Sequence, residues 1–333
     1  MRCCLSWVML LVAAMAAGSS AKAQTPIVRI DGSSTVYPVT EAVAEEFQNS
    51  KRGAARVTVG ISGTGGGFKK FVRGEIDIAD ASRPILKNEM EDARKNGIKY
   101  IELPICFDAL TVAVNPQATW LNEISIEDLK KMWEPGARGK IMKWNQIRPN
   151  WPDKKISLFG AGADSGTFDY FTEAVVGKAK SCRGDYTGSE DDNVLVQGIS
   201  GNKYALGYLP YSYYAANQNK LKALGISWKK KNHKAVKPSS HAVVTGEYMP
   251  LSRPLFIYVN LDSTKKPAVR DFVDFYLENV KALATEVKYL PLPDKAYSMA
   301  QERFHKRQTG TGFGGVPEVG LHVEDILKRE PKS

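Results

Sequence analysis

Cysteine is scarce in this chain of 333 residues: there are four, and Cys3 and Cys4 stand at the very start. Cys106 and Cys182 are too few for a disulfide framework. Histidine is equally scarce, with His233, His241, His305 and His322, and no cluster of His and Asp has the form of a metal site. The phosphate-loop pattern Gly-x-x-x-x-Gly-Lys-Ser/Thr is missing, which excludes that class of nucleotide site. Beyond the first two dozen residues no apolar run approaches the ~20 residues needed to span a bilayer. Low-complexity tracts are missing too.

What remains is an ordinary globular composition, 43% hydrophobic and 25% charged. At ~150 residues per domain the length suggests about two domains. The net charge of +10 and a pI near 9.2 favour anionic ligands or surfaces without naming one.

The N-terminus reads as an export signal. Arg2 supplies positive charge, Cys3–Ala17 is almost wholly apolar, and Ala21-Lys22-Ala23 fits a small-x-small cleavage site. Residues 1–23 are therefore expected to be a signal peptide, with a soluble mature chain from about Gln24 in the periplasm. Export permits a disulfide between Cys106 and Cys182. Cys106, inside the apolar run Leu103–Phe107, fits a free buried thiol equally well.

One cassette recurs three times: a β-rich run, a Gly/Ser/Thr elbow, then apolar residues at helical spacing. The first joins Ile27–Ile30 to Asp31–Thr35, followed by Val36, Val39, Val43 and Phe47. The second joins Val57–Ile61 to Ser62–Gly67, followed by a helix over Phe68–Val72 that stops at Gly74. The third joins Ile156–Phe159 to Gly160–Thr167, followed by Phe168, Phe171, Val175 and Val176. Further strands are expected at Ile76–Ile78, Ala109–Val114, Leu206–Leu209 and Leu255–Val259. Strands alternating with helices predict an α/β fold with mostly parallel sheets. The runs Lys229-Lys230-Lys231 and Lys265-Lys266 read as solvated surface, and the stretch after Tyr297 as surface cover with a short helix near Val323–Lys328.

The elbows carry the chemistry. The first turn of a helix leaves backbone N–H groups unpaired at the positive end of its dipole. Glycine lets that backbone approach a ligand, and Ser and Thr hydroxyls add donors, so a tetrahedral oxyanion suits several such termini converging on one point. N-caps use the same residues, so a single elbow means little. Monohydrogen phosphate, unlike sulfate, still carries a proton, and a pocket carboxylate would accept it while repelling sulfate. Asp80, Asp164, Asp191 and Asp192 are candidates for that role, though Asp164 also fits an N-cap and the last two fit dipole partners. Arg83 offers a two-pronged donor, or else an exposed or carboxylate-paired arginine.

Taken together, these stretches resemble the periplasmic phosphate-binding protein of the Pst-type phosphate ABC transporter. The likeness rests on Asp31–Pro38, Ser62–Phe68, Ala81–Pro84, Asp164–Phe168, Ser189–Asn193 and Ala205–Tyr208, in order over about 27–310. It implies a type II-like two-lobed fold with two hinge strands and the ligand in the cleft between the lobes. Lobe one would be 24–107 plus 254–333, and lobe two 108–253. The family's donors map onto Ser34, Thr35, Ser62, Ser165, Gly166 and Thr167, with Thr64 and Ser82 beside them. One branch of the family has an Arg shortly before the Ser-Gly-Thr elbow, where Gly160 and Ala161 stand here, and an Asp in place of Ser82. Arg83 is therefore expected to supply the cation and Asp164 the proton acceptor. The resemblance further implies capture of inorganic phosphate for the membrane permease subunits of an ABC importer, by a monomer without a cofactor.

Two rivals differ in kind. A binder of sulfate, molybdate or arsenate would use the same elbows. An exported Ser-dependent phosphatase or hydrolase would need a base for Ser165, yet every His follows Ser165 in the chain and Gly-x-Ser-x-Gly is missing around it. No enzyme is expected. Nucleic acid is suggested by net charge alone and is not expected as a partner of an exported chain.

Overall fold

The computed structural model describes residues 25–52, 55–163, 165–189, 191–229, 232–316 and 323–332. The expected signal peptide and Asp164 lie outside them.

The chain opens with β1 (Ile27–Gly32), α1 (Tyr37–Ser50), β2 (Arg56–Ile61), α2 (Thr64–Phe71), β3 (Ile78–Ala81) and α3 (Lys87–Lys95). β1 lies between β2 and β3 and is parallel to both. Val39, Thr40, Val43, Ala44 and Phe47 bury one face of α1, and Pro38 in its first turn suits a helix start. The second cassette departs from expectation. The helix already begins at Thr64, so Gly65–Gly67 are helical and not part of the elbow. Glycine is a poor helix former, but packing requires it here: a Cβ on Gly67 would lie 2.6 Å from the Gly32 Cα.

β4 (Tyr100–Val114) follows, fifteen residues long and buried throughout. The second region comprises β5 (Glu123–Ser125), α4 (Ile126–Trp133), β6 (Ser157–Ala161), α5 (Gly166–Val176), β7 (Thr187–Ser189), α6 (Asp192–Ser200), β8 (Ala205–Pro210), α7 (Tyr211–Ala216), β9 (Lys222–Ala223), β10 (Gly225–Trp228), β11 (His233–Val236) and α8 (Ser240–Val244). β12 (Ser252–Asn260) returns to the first region, followed by α9 (Pro267–Glu286), β13 (Leu290–Pro291), α10 (Asp294–His305) and α11 (Val323–Lys328).

The strand order β2-β1-β3-β12-β4-β8-β6-β7 makes β4 common to two sheets. Its first part pairs antiparallel with β12, and Leu110–Val114 pair with β8. The molecule is thus a two-lobed α/β fold, one lobe on each sheet. α9 closes the first lobe against α1, where Phe47 meets the edges of Phe272 and Phe275 at 5.3 and 5.4 Å. In the second, Phe171 stacks on Tyr208 at 3.7 Å and meets the edge of Trp133 at 5.2 Å. Burying each such ring contributes up to ~3 kcal/mol.

The C-terminal stretch is more than surface cover. Glu102 of β4 is fully buried and accepts bonds from Tyr258 Oη (2.5 Å), Thr311 Oγ1 (2.5 Å) and Gly312 N (3.0 Å), with the buried Arg303 3.9 Å away. Lys266 is likewise committed, pairing with the buried Asp77 at 2.8 Å. Cys106 and Cys182 are both free thiols.

Candidate functional site

Parallel pairing sets the first half of the site. Gly32 is in register with Ile61 on one side and Asp80 on the other, so three elbows leave the same edge of the sheet. They are stitched together: Ser33 N donates to Asp80 O (3.0 Å), Ser62 N to Gly32 O (3.1 Å) and Ser82 N to Thr64 Oγ1 (3.1 Å). Thr64 and Ser82 also share a hydroxyl–hydroxyl bond of 3.0 Å. Ser62 Oγ is directed to Asp31 Oδ1 at 2.5 Å, and Asp31 is held by Lys70. Neither α1 nor α2 has a side-chain cap at its start. In open α/β sheets this strand-end edge is where ligands bind.

The other half comes from α5. Ser165 is its N-cap and accepts from Thr167 N at 3.2 Å. Gly166 lies directly against the first elbow: Thr35 Oγ1 donates to Gly166 O at 3.3 Å, and a Cβ on Gly166 would lie 2.7 Å from Thr35 N. Tyr289 braces the same turn by donating to Thr35 O at 2.8 Å. The structure thus joins Thr35 to the 165–167 elbow, and Ser62, Thr64 and Ser82 to the strand-end edge that carries Ser34 and Thr35.

The expected carboxylates are placed differently from one another. Asp80 is buried beneath α1, accepting from Thr40 Oγ1 at 3.1 Å, and burial pushes its carboxyl up to about 8. Asp191 caps α6 through Asn193 N at 2.9 Å. Asp192 lines a pocket of about 190 Å³ together with Asp108, Thr167, Tyr213 and Tyr289.

Arg83 forms a fork with Glu89 at 2.8 and 2.9 Å and also donates to Pro84 O at 3.1 Å. Its guanidinium carbon sits 5.5 Å from the centre of the Phe68 ring. A second arginine, which no sequence motif marks, stands where the sheets meet. Arg253 of β12 is in register with Asp108 of β4. It lies 3.6 Å over the Tyr170 ring and reaches Glu173 Oε2 at 3.4 Å and Thr35 Oγ1 at 3.5 Å. Its Nε is 3.7 Å from Asp108 Oδ2, too long for a hydrogen bond. Burial pushes the Asp108 carboxyl up to about 6 despite the opposing pull of Arg253. The available signal was a charged residue in each of two strongly apolar runs, 103–114 and 251–259. A cleft of about 550 Å³ opens beside this pair, lined by Arg83, Phe107, Tyr170, Trp228, Arg253 and Phe313 among others. Among the described residues, no group of His, Cys, Asp and Glu is arranged to hold a metal, and no helix is long and apolar enough to cross a membrane.

Comparison with known proteins agrees with this architecture. Residues 16–280 match the model of a PBP superfamily domain. The chain is 50% identical to protein SphX of Synechococcus elongatus over 327 residues, 97% of this chain and 96% of that protein. It is 37% identical to the phosphate-binding protein PstS of Staphylococcus aureus over 268 residues, 80% of this chain and 79% of that protein. Among solved structures, that of a possible phosphate binding protein from Planctomyces limnophilus superposes with a TM-score of 0.81. It is 46% identical and covers 85% of this chain and 99% of its own.

Proposed function

Because the chain belongs to the PBP superfamily, we propose that it is the extracytoplasmic phosphate-binding component of an ABC-type import system. The observation that carries this reading is the meeting of Thr35 with Gly166 across the cleft, which brings the first elbow of one lobe to the start of α5 in the other. A small oxyanion held there would draw its donors from Ser34, Thr35, Ser62, Thr64, Ser82, Ser165, Gly166 and Thr167, with the Ser62 hydroxyl turning from Asp31 and the Thr35 hydroxyl from Gly166 O to meet it. Neutral, oriented donors replace the water that a dianion loses on entering the cleft. Asp164 is the proposed acceptor of the phosphate proton, the feature that would turn sulfate away. The names of the relatives in Staphylococcus aureus and Planctomyces limnophilus point to the same ligand.

In this reading lobe one is 24–107 plus 254–333, lobe two is 108–253, and the lobes shut around the ion. The mature monomer, from about Gln24, works in the periplasm and passes phosphate to membrane permease subunits. Ser165 Oγ accepts from Thr167 N and keeps its own proton to donate, which suits the binding of an ion. Calorimetric titration of the mature chain with phosphate tests the proposal, with sulfate, molybdate and arsenate as competitors. One phosphate per chain, undisturbed by excess sulfate, is expected. Heat with sulfate alone, or no heat with phosphate, overturns it.

A further inference from the structure

We propose that Arg253, on the strand that runs between the lobes, is the positive charge that meets the bound phosphate. The inference rests on reading the cleft as a phosphate site and adds a residue from outside the elbows. Within 33–35, 62–67, 82–83 and 165–167 the only cationic side chain is Arg83, and Arg83 already spends its fork on Glu89 at 2.8 and 2.9 Å. Arg253 is in the opposite condition. Its side chain is only 14% exposed, yet its contacts to Glu173, Thr35 and Asp108 measure 3.4, 3.5 and 3.7 Å, and its buried Nε has no hydrogen-bond partner. A guanidinium withdrawn from water without one short bond is costly, and an anion with oxygens free to accept would satisfy it.

Position supports the same role. Tyr170 fixes the guanidinium plane from the α5 side by stacking at 3.6 Å, and Thr35 of the first elbow is its neighbour on the other. Arg253 therefore touches both walls of the cleft at the point where Thr35 meets Gly166. Asp108 behind it holds the side chain in place, and the half-exposed Glu173 competes for one of its nitrogens. An anion reaching Arg253 draws on α5 and the first elbow together, so charge recognition is coupled to closure.

The test is calorimetry on the mature chain with inorganic phosphate. Arg253→Gln should weaken binding at least a hundredfold, Arg253→Lys about tenfold, and Arg83→Gln less than tenfold. Glu173→Gln, at a half-exposed site, should tighten binding threefold or more by releasing the competing carboxylate. That variant decides between the outcomes even if Arg253→Gln fails to fold. A parent chain that binds phosphate while Arg253→Gln binds within threefold of it, or Glu173→Gln leaves affinity unchanged or weaker, overturns the role of Arg253. A parent chain that binds no phosphate overturns the reading of the cleft instead.

Discussion

Thr35 and Gly166 are 131 residues apart in the chain, yet the Thr35 hydroxyl lies 3.3 Å from the Gly166 carbonyl oxygen. The two are so close that a methyl on Gly166 would sit 2.6 Å from that hydroxyl. Gly166→Ala must therefore hold the walls apart. We expect phosphate affinity to fall at least tenfold while the melting temperature moves by only a few degrees. Equal affinity in a titration would show that this contact is not needed for capture.

The Asp80 carboxyl is pushed up to about 8 by burial, against about 4 in an unfolded chain. It faces Thr40 on α1, Tyr276 on α9, Asp31 on β1 and Cys106 on β4. The folded chain keeps this proton where the unfolded chain has lost it, so this group makes stability fall as pH rises from about 4 to about 8. Asp80→Asn retains an acceptor for Thr40 and cannot ionise. It should be more stable than the parent at pH 8, with the advantage shrinking toward pH 5. Parallel melting curves at the two pH values would refute this.

Glu102 takes three hydrogen bonds, two of them from Thr311 and Gly312 in the C-terminal stretch. Thr311→Val removes one donor from a buried acid and should cost about 1.5–3 kcal/mol in urea unfolding. The variant should bind phosphate as the parent does once folded. A loss below about 0.5 kcal/mol would mean that the stretch is held by its apolar contacts alone.

A chromogenic phosphate ester offered to the mature chain should release no product over hours, since a serine nucleophile needs a base and the sequence around Ser165 has no motif that supplies one. Turnover that Ser165→Ala abolishes would restore the hydrolase.

Local patterns were legible in the sequence and long-range ones were not. The spacing of Val39, Val43 and Phe47 marks α1 because one side of that helix is buried over its whole length. The start of α2 was hidden, because the glycines that suggest a loop are there to let a helix lie against Gly32. Only the part of β4 from Ala109 onward has the pattern of a strand: Glu102, Pro104 and Asp108 break the apolar run before it, yet each is buried, the two acids with partners far away in sequence. The elbows themselves were visible as Gly/Ser/Thr clusters. Arg253 was not, since its significance depends on Asp108, Tyr170 and Thr35 arriving beside it from three other parts of the chain.

β4 belongs to both sheets and is laddered to β12 along one stretch and β8 along the next. Along the hydrogen-bonded ladder the two sheets are joined through this one backbone. A change in its twist is therefore a change in the angle between the two sheets, and that angle is set along a strand buried over all fifteen residues.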